Sequence, residues 1–191
     1  MRVIAGTARG RPLLAPPGRT IRPTADRVRE ALFNALGSLD AVRGAVVLDL
    51  FGGSGALAVE ALSRGAAHVT VVEHDRTARS VIEANLASPG LSAQAVISGG
   101  DAFAHLDRLA RRAARFDLVL LDPPYSFDSW PDLLTAVVAV LAPGGVVVLE
   151  SDREVVNAGQ VVVIREKRYG STVVAIARVP ADETTTPGEH A

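Results

Sequence analysis

The sequence predicts an α/β fold: a sheet of five parallel strands flanked by helices, closed by a C-terminal antiparallel hairpin and preceded by a small basic arm. Two observations predict it. From Val46 onward, short unbroken runs of aliphatic and β-branched residues alternate with segments of helical periodicity. That is the pattern of strands buried on both faces and joined by crossover helices. After the fifth run the rhythm changes. Gln160–Glu166 and Ser171–Val179 are both strand-like, and the four residues Lys167-Arg168-Tyr169-Gly170 between them are too few for a crossover helix, so the two runs pair as a hairpin.

Taken in order, residues 1–21 form the arm. Gly6, Gly10, Pro12, Pro16, Pro17 and Gly18 argue against a helix there and for a hairpin or an extended segment. The domain proper spans 22–179. It opens with a helix capped at Thr24-Ala25-Asp26 and running to about Leu36, with Gly37 placed to stop it. Val28, Leu32, Ala35 and Leu36 share the face that packs on the domain, and Arg27 and Glu30 point elsewhere. Strands follow at Ala45–Leu50, Val69–Val72, Ala93–Ile97, Phe116–Leu121 and Val146–Leu149. Helices lie between them at Ala56–Arg64, Thr77–Ala87, Ala102–Arg112 and Pro131–Leu141. Pro143-Gly144-Gly145 breaks the last helix and turns the chain into the fifth strand. The polar stretch 180–191 is expected to fray.

Composition narrows the function classes. The 191 residues suit one domain with a substantial core, and 48% hydrophobic with 21% charged residues is ordinary for a soluble protein. No apolar run approaches the ~20 residues that span a bilayer. The opening Met1-Arg2-Val3-Ile4-Ala5-Gly6 lacks the apolar stretch of a signal peptide. With no cysteine and four scattered histidines, neither disulfides nor a metal site is expected. A cytoplasmic, monomeric protein without membrane or metal is the resulting expectation. Charge is uneven: residues 1–30 hold seven arginines against Asp26 and Glu30, a balance of +5, and the whole chain is −1, so the remainder is −6. Arg2, Arg9, Arg11, Arg22, Arg27 and Arg29 are the candidate contacts to a polyanion, a solvated basic face being the alternative.

Asp49-Leu50-Phe51-Gly52-Gly53-Ser54-Gly55 follows the first strand and opens the first crossover helix. Glycines there let backbone approach a ligand closely. Glu73, ending the second strand, is placed to accept both hydroxyls of a ribose. Gly53-Ser54-Gly55-Ala56-Leu57-Ala58 also satisfies the G-x-G-x-x-A pattern of dinucleotide sites, a weak match by itself. Asp49 tilts the choice to S-adenosyl-L-methionine, because a carboxylate at that position repels a pyrophosphate and suits an ammonium. Gly100-Asp101-Ala102 follows the third strand, where Asp101 accepts from an adenine amine or caps the next helix, two roles that coexist.

Asp122-Pro123-Pro124-Tyr125 stands where the fourth strand ends. An exocyclic amine on a nucleobase is a poor nucleophile because its lone pair is delocalised. The Asp122 side chain and the Pro123 carbonyl are candidates to accept its hydrogens as the nitrogen pyramidalises, the prolines preorganise the turn, and Tyr125 offers a stacking face. A strand-ending turn with no further role is the alternative. Ligands in open α/β sheets lie outside the carboxyl ends of the strands, which favours the functional reading.

Five parallel strands with an antiparallel hairpin is the topology of class I S-adenosylmethionine-dependent, Rossmann-like methyltransferases. The blocks Arg22–Asn34, Asp49–Leu57, Glu60–Ala66 and Asp122–Tyr125, with the opening Arg2–Gly6 and Gly10–Leu13, resemble the bacterial 16S rRNA (guanine-N2)-methyltransferases of the RsmD type over nearly the whole chain. The resemblance implies methyl transfer from S-adenosyl-L-methionine to N2 of one guanine of 16S rRNA, in an assembled or partly assembled small subunit. It implies that Gly53 and Gly55 line the donor, Glu73 binds its ribose and Asp101 faces its adenine. It further implies that Asp122 to Tyr125 hold the guanine and that the arm's arginines meet phosphates. Gly52 is a departure, since the family commonly has alanine there, and it reads as a mild one. An adenine-N6 methyltransferase of DNA or RNA is the alternative, since the same tetrapeptide serves that amine.

Overall fold

A computed structural model of the chain describes residues 1–17, 23–153 and 161–179. Its elements are α1 (Pro23–Ser38), β1 (Val46–Asp49), α2 (Ala56–Ser63), β2 (His68–Glu73), α3 (Arg76–Ala87), β3 (Ala95–Gly99), α4 (Ala102–Arg111), β4 (Phe116–Leu121), α5 (Trp130–Val138), β5 (Leu141–Ser151), β6 (Val162–Tyr169) and β7 (Thr172–Arg178). One seven-stranded sheet joins them in the order β3-β2-β1-β4-β5-β7-β6. Neighbours among β1 to β5 pair in parallel, and β7 runs antiparallel to both β5 and β6. This is the predicted α/β class. The strand order reverses between β1 and β4, which brings the carboxyl ends of those two strands side by side.

Alternate residues of the strands feed two cores. Val47, Val71, Leu118, Leu120, Val146 and Ile176 face α1, α2 and the arm, and Leu48, Val72, Val119, Leu121, Val147 and Leu149 face α4 and α5. Each such side chain removed from water stabilises the fold by about 1.5–3 kcal/mol relative to leaving it exposed. Cover on both faces explains the unalternating apolar runs.

The arm is a hairpin docked on the domain. The Val3 amide donates to the Arg11 carbonyl at 2.9 Å, Gly10 to Val3 at 2.9 Å and Leu13 to Met1 at 3.0 Å. Buried Glu60 on α2 accepts from the amides of Ile4 and Ala5 at 2.8 and 3.1 Å, and Ser63 accepts from Thr7 and Ala8. Gly6, at φ 85°, lies so close to α2 that a Cβ would stand 1.7 Å from the Ser63 carbonyl oxygen. Asn85 of α3 clamps Leu14, accepting from its amide at 2.8 Å and donating to its carbonyl at 3.0 Å.

Several expected boundaries move. Gly37 does not stop α1, which continues to Ser38. The Ala41 amide bonds the Leu36 carbonyl and Asp40 bonds Gly37, with Asp40 at φ 51°: a Schellman closure whose left-handed residue is aspartate. α4 ends the same way with Ala113 at φ 51°, Ala114 reaching Leu109 and Ala113 reaching Ala110. α5 stops at Val138, and pairing of β5 begins at Leu141 opposite Phe116. The register resumes at Val146 opposite Leu118, so Pro143-Gly144-Gly145 bulges from a strand already begun. The last hairpin is tighter than predicted. Tyr169 pairs with Thr172 across Gly170-Ser171, with Gly170 at φ 61°. Arg22 and residues 180–191 lie outside the described residues. Among the described residues no helix is long and apolar enough to cross a membrane.

Candidate active site

Four strand ends line up along one edge of the sheet. In spatial order they carry Asp101 after β3, Glu73 ending β2, Asp49 ending β1 and Asp122 after β4. The first three lie along successive neighbours, as an elongated donor needs, and the fourth stands beyond the reversal point, beside the first strand.

Asp49 is 1% exposed, and neither carboxylate oxygen has a hydrogen-bond partner among the described residues. Burial, together with repulsion from Asp122 and Glu73, pushes its pKa up to about 7. The amides of Phe51 and Ala58 face it and offset this in part, without reaching hydrogen-bond geometry. A buried acid with empty acceptors beside two other carboxylates has the chemistry to accept a cation, and an ammonium such as that of S-adenosyl-L-methionine is compatible with it.

Glu73 organises the loop. One of its oxygens accepts from the Gly53 amide at 2.8 Å and the other from the Asp75 amide at 2.8 Å, with the exposed His74 ring at 3.1 Å. Gly53 at φ 55° and Gly55 at φ 75° take left-handed conformations that favour glycine. At Gly52 a Cβ would stand 2.4 Å from Cγ1 of Val71 and 2.9 Å from Cδ1 of Ile82. In this chain Val71 and Ile82 fill the space that an alanine methyl would take, so glycine at this departure from the family is matched by its neighbours. Asp101 caps α4, accepting from the Ala104 amide at 3.0 Å, and Ala102 behind it is buried.

The acceptor segment is braced from three sides. Pro123 is buried, Asp122 and Pro124 are exposed, and Tyr125 is half-buried with its hydroxyl 3.3 Å from Oγ1 of Thr172 on β7. Arg153, just past β5, donates to the carbonyls of Tyr125 and Phe127 at 3.2 and 3.3 Å and to Asp128 at 2.8 Å. Phe127 packs edge-on against Phe51 of the glycine loop and against Trp130, with ring centroids 5.9 and 5.5 Å apart. The glycine loop and the segment after the tetrapeptide thus share an aromatic joint. Sequence reasoning did not single out Thr172, Arg153, Phe127 or Phe51. Only Phe51, inside the glycine block, carried a local signal.

The basic face is partly as expected. Arg2, Arg9, Arg11 and Arg27 are exposed or half-exposed at the surface. Arg29 is not available: it is 4% exposed, donates to the Arg2 carbonyl and to Asp26 at 3.1 Å, and lies 3.6 Å from Glu60. A guanidinium so enclosed ties α1 to the arm and to α2 and cannot reach a phosphate without breaking those contacts. Among the described residues no group of three or more His, Asp or Glu is placed to hold a metal ion.

The family described as "Conserved hypothetical protein 95" matches residues 1–178. The Bacillus subtilis protein named "Putative rRNA methyltransferase YlbH" is 41% identical over 182 residues, covering 92% of this chain and 97% of its own. "Ribosomal RNA small subunit methyltransferase D" of Haemophilus influenzae is 32% identical over 174 residues, covering 89% of each. A solved structure, "Putative methyltransferase yhhF" from Escherichia coli, superposes with a TM-score of 0.81 at 32% identity, covering 95% of this chain and 99% of that one. With the β1–β4 switch point, the buried acid and the braced tetrapeptide described above, these likenesses are consistent over the whole domain, and the chain belongs to the RsmD-type family of rRNA methyltransferases.

Proposed function

We propose that this chain transfers a methyl group from S-adenosyl-L-methionine to the exocyclic N2 of one guanine in 16S rRNA. The substrate is the small ribosomal subunit or an assembly intermediate, and the protein acts in the cytoplasm as a monomer. The observation that carries the reading is the adjacency of Asp49 and Asp122 across the β1–β4 reversal, close enough for their charges to repel. One site holds a cation, the other an amine, and the space between them is where the two substrates meet.

On this reading Asp49 seats the donor's ammonium, Glu73 its ribose and Asp101 its adenine edge, over the loop of Gly52, Gly53 and Gly55. Bound there, the donor supplies an electrophilic sulfonium methyl. The chain's own part is positional. The Asp122 carboxylate and the Pro123 carbonyl accept the two amino hydrogens, which draws the nitrogen lone pair out of conjugation and aims it. Tyr125 stacks on the base, its ring anchored through Thr172. The proton lost from nitrogen leaves through Asp122, which is exposed to solvent. Arg2, Arg9, Arg11, Arg22 and Arg27 meet phosphates around the target.

Incubation with labelled donor and, in parallel, unmodified small subunits, free rRNA and duplex DNA tests this. N2-methylguanine in 16S rRNA is expected. N6-methyladenine in DNA or RNA would overturn the substrate assignment and favour the alternative amine.

A further inference from the structure

Outside the site lies a groove of about 480 Å³ between α1 and the edge strand β6. Its floor is Leu32, Val174 and Ile176. Its walls carry Asn34 and Ser38 on one side and Arg165, Lys167 and Tyr169 on the other. Arg165 donates to the Ser38 hydroxyl at 2.9 Å, and the Lys167 ammonium stands 5.2 Å from the Tyr169 ring centroid. β6 contributes Arg165, Lys167 and Arg168 against Glu166, while the chain beyond residue 30 is acidic overall. The groove itself is lined by Arg165 and Lys167 against Glu166, a balance of +1.

The groove opens to the catalytic face at its Tyr169 end, the end toward which Arg27 of α1 also lies, and runs from there to the Arg165–Ser38 contact at the C-terminus of α1. At the upper end Tyr169 pairs with Thr172, whose hydroxyl meets that of Tyr125. Along α1, Arg27 stands at i, i+4, i+7 and i+11 with Ala31, Asn34 and Ser38, all on one helical face. That ridge is roughly 16 Å long at 1.5 Å per residue. Cations spaced along a channel with a ring at its mouth form the arrangement that follows a single-stranded backbone and stacks a base.

We propose that the α1–β6 groove is a second RNA-binding surface. It takes the phosphodiester strand adjoining the target nucleotide, with Arg165 and Lys167 on phosphates and a flanking base on Tyr169. This inference rests on the rRNA reading above.

Arg165→Gln and Lys167→Gln, singly and together, test it against wild type. The Lys167 ammonium makes no hydrogen bond among the described residues but stands over the Tyr169 ring, so melts of Lys167→Gln accompany the binding curves, and a binding loss at an unchanged midpoint reports charge and not folding. Two measurements are made on each protein: donor affinity by calorimetry, and affinity for unmodified small subunits as a function of salt. The double variant should keep donor affinity within about twofold and bind subunits about tenfold more weakly. Its salt slope should be lower by about 1.5, at about 0.7–0.9 per lost phosphate contact. Tyr169→Ala should weaken subunit binding where Tyr169→Phe does not. Equal affinity and equal slope in wild type and double variant would overturn the groove while leaving the enzyme's reading intact. A wild type that binds donor but no RNA would overturn both.

Discussion

Replacing Asp49 by asparagine should stabilise the donor-free protein at neutral pH while destroying its affinity for donor. The carboxyl is raised from 3.8 to about 7. The folded state therefore holds a proton between about pH 4 and 7 that the unfolded chain has released, and wild-type stability falls as pH rises through that window. At about 1.4 kcal/mol per pH unit, a window of about three amounts to about 4 kcal/mol as an upper figure. Asparagine does not titrate, and other groups cancel between the two proteins. The difference in unfolding free energy, Asp49→Asn variant minus wild type, should grow by up to that amount from about pH 4.5 to 7.5 and then level off. For a domain of this size that corresponds to roughly 10 °C in midpoint. The constant offset, set by burying an amide in place of a protonated acid, is about 1–3 kcal/mol and does not vary with pH. Urea or thermal melts of both proteins at several pH values supply the assay. Saturating donor should raise the wild-type midpoint by mass action and leave the variant's unchanged. Parallel stability–pH curves would refute the reasoning, because they would mean that Asp49 is already satisfied without a ligand.

Gly6→Ala should cost about 2–4 kcal/mol, since the Cβ collides with the Ser63 carbonyl and the arm must lift from its bonds to Glu60 and Ser63; melts check the stability, and subunit binding should fall while donor affinity holds. Ala113→Gly should raise stability by about 0.5–1 kcal/mol, relieving a left-handed alanine at the end of α4, read as a higher denaturant midpoint at equal slope. Gly52→Ala should lower stability by about 1–3 kcal/mol and weaken the donor, as Val71 and Ile82 are displaced; calorimetry with S-adenosyl-L-methionine measures the second effect. Donor affinity of the wild type should decline as the pH drops below about 7, because protonating Asp49 removes the charge its ammonium partner needs.

The sheet was legible in the sequence because β-branched runs buried on both faces leave an unbroken apolar signature, and the hairpin because its connection was too short for anything else. Helix ends were less so. Gly37 offered a stop signal that α1 passes through, while Asp40, a residue type that tolerates the left-handed region, and Ala113, one that does not favour it, close the helices instead. The strand-end acids were legible as a set, since four strand ends each present a carboxylate. Arg29 was not. Counted by position it belongs to the basic segment, but its partner Glu60 lies 31 residues away and only the packing of α1 on α2 brings them together. Arg153 and Thr172 escaped for the same reason. Each acts on the tetrapeptide through contacts that no local spacing encodes.

If donor and amine are held by separate groups on either side of the β1–β4 reversal, one substitution can remove transfer and spare donor binding. Single-turnover methyl transfer by Asp122→Ala to unmodified small subunits, with donor affinity measured on the same protein, tests it most directly. Transfer should fall by about 10²–10³-fold. Donor affinity should change by no more than a few-fold, because Asp49 loses a repelling neighbour while the bound cation loses an attracting one. Unchanged transfer, or a loss explained wholly by weaker donor binding, would contradict the account.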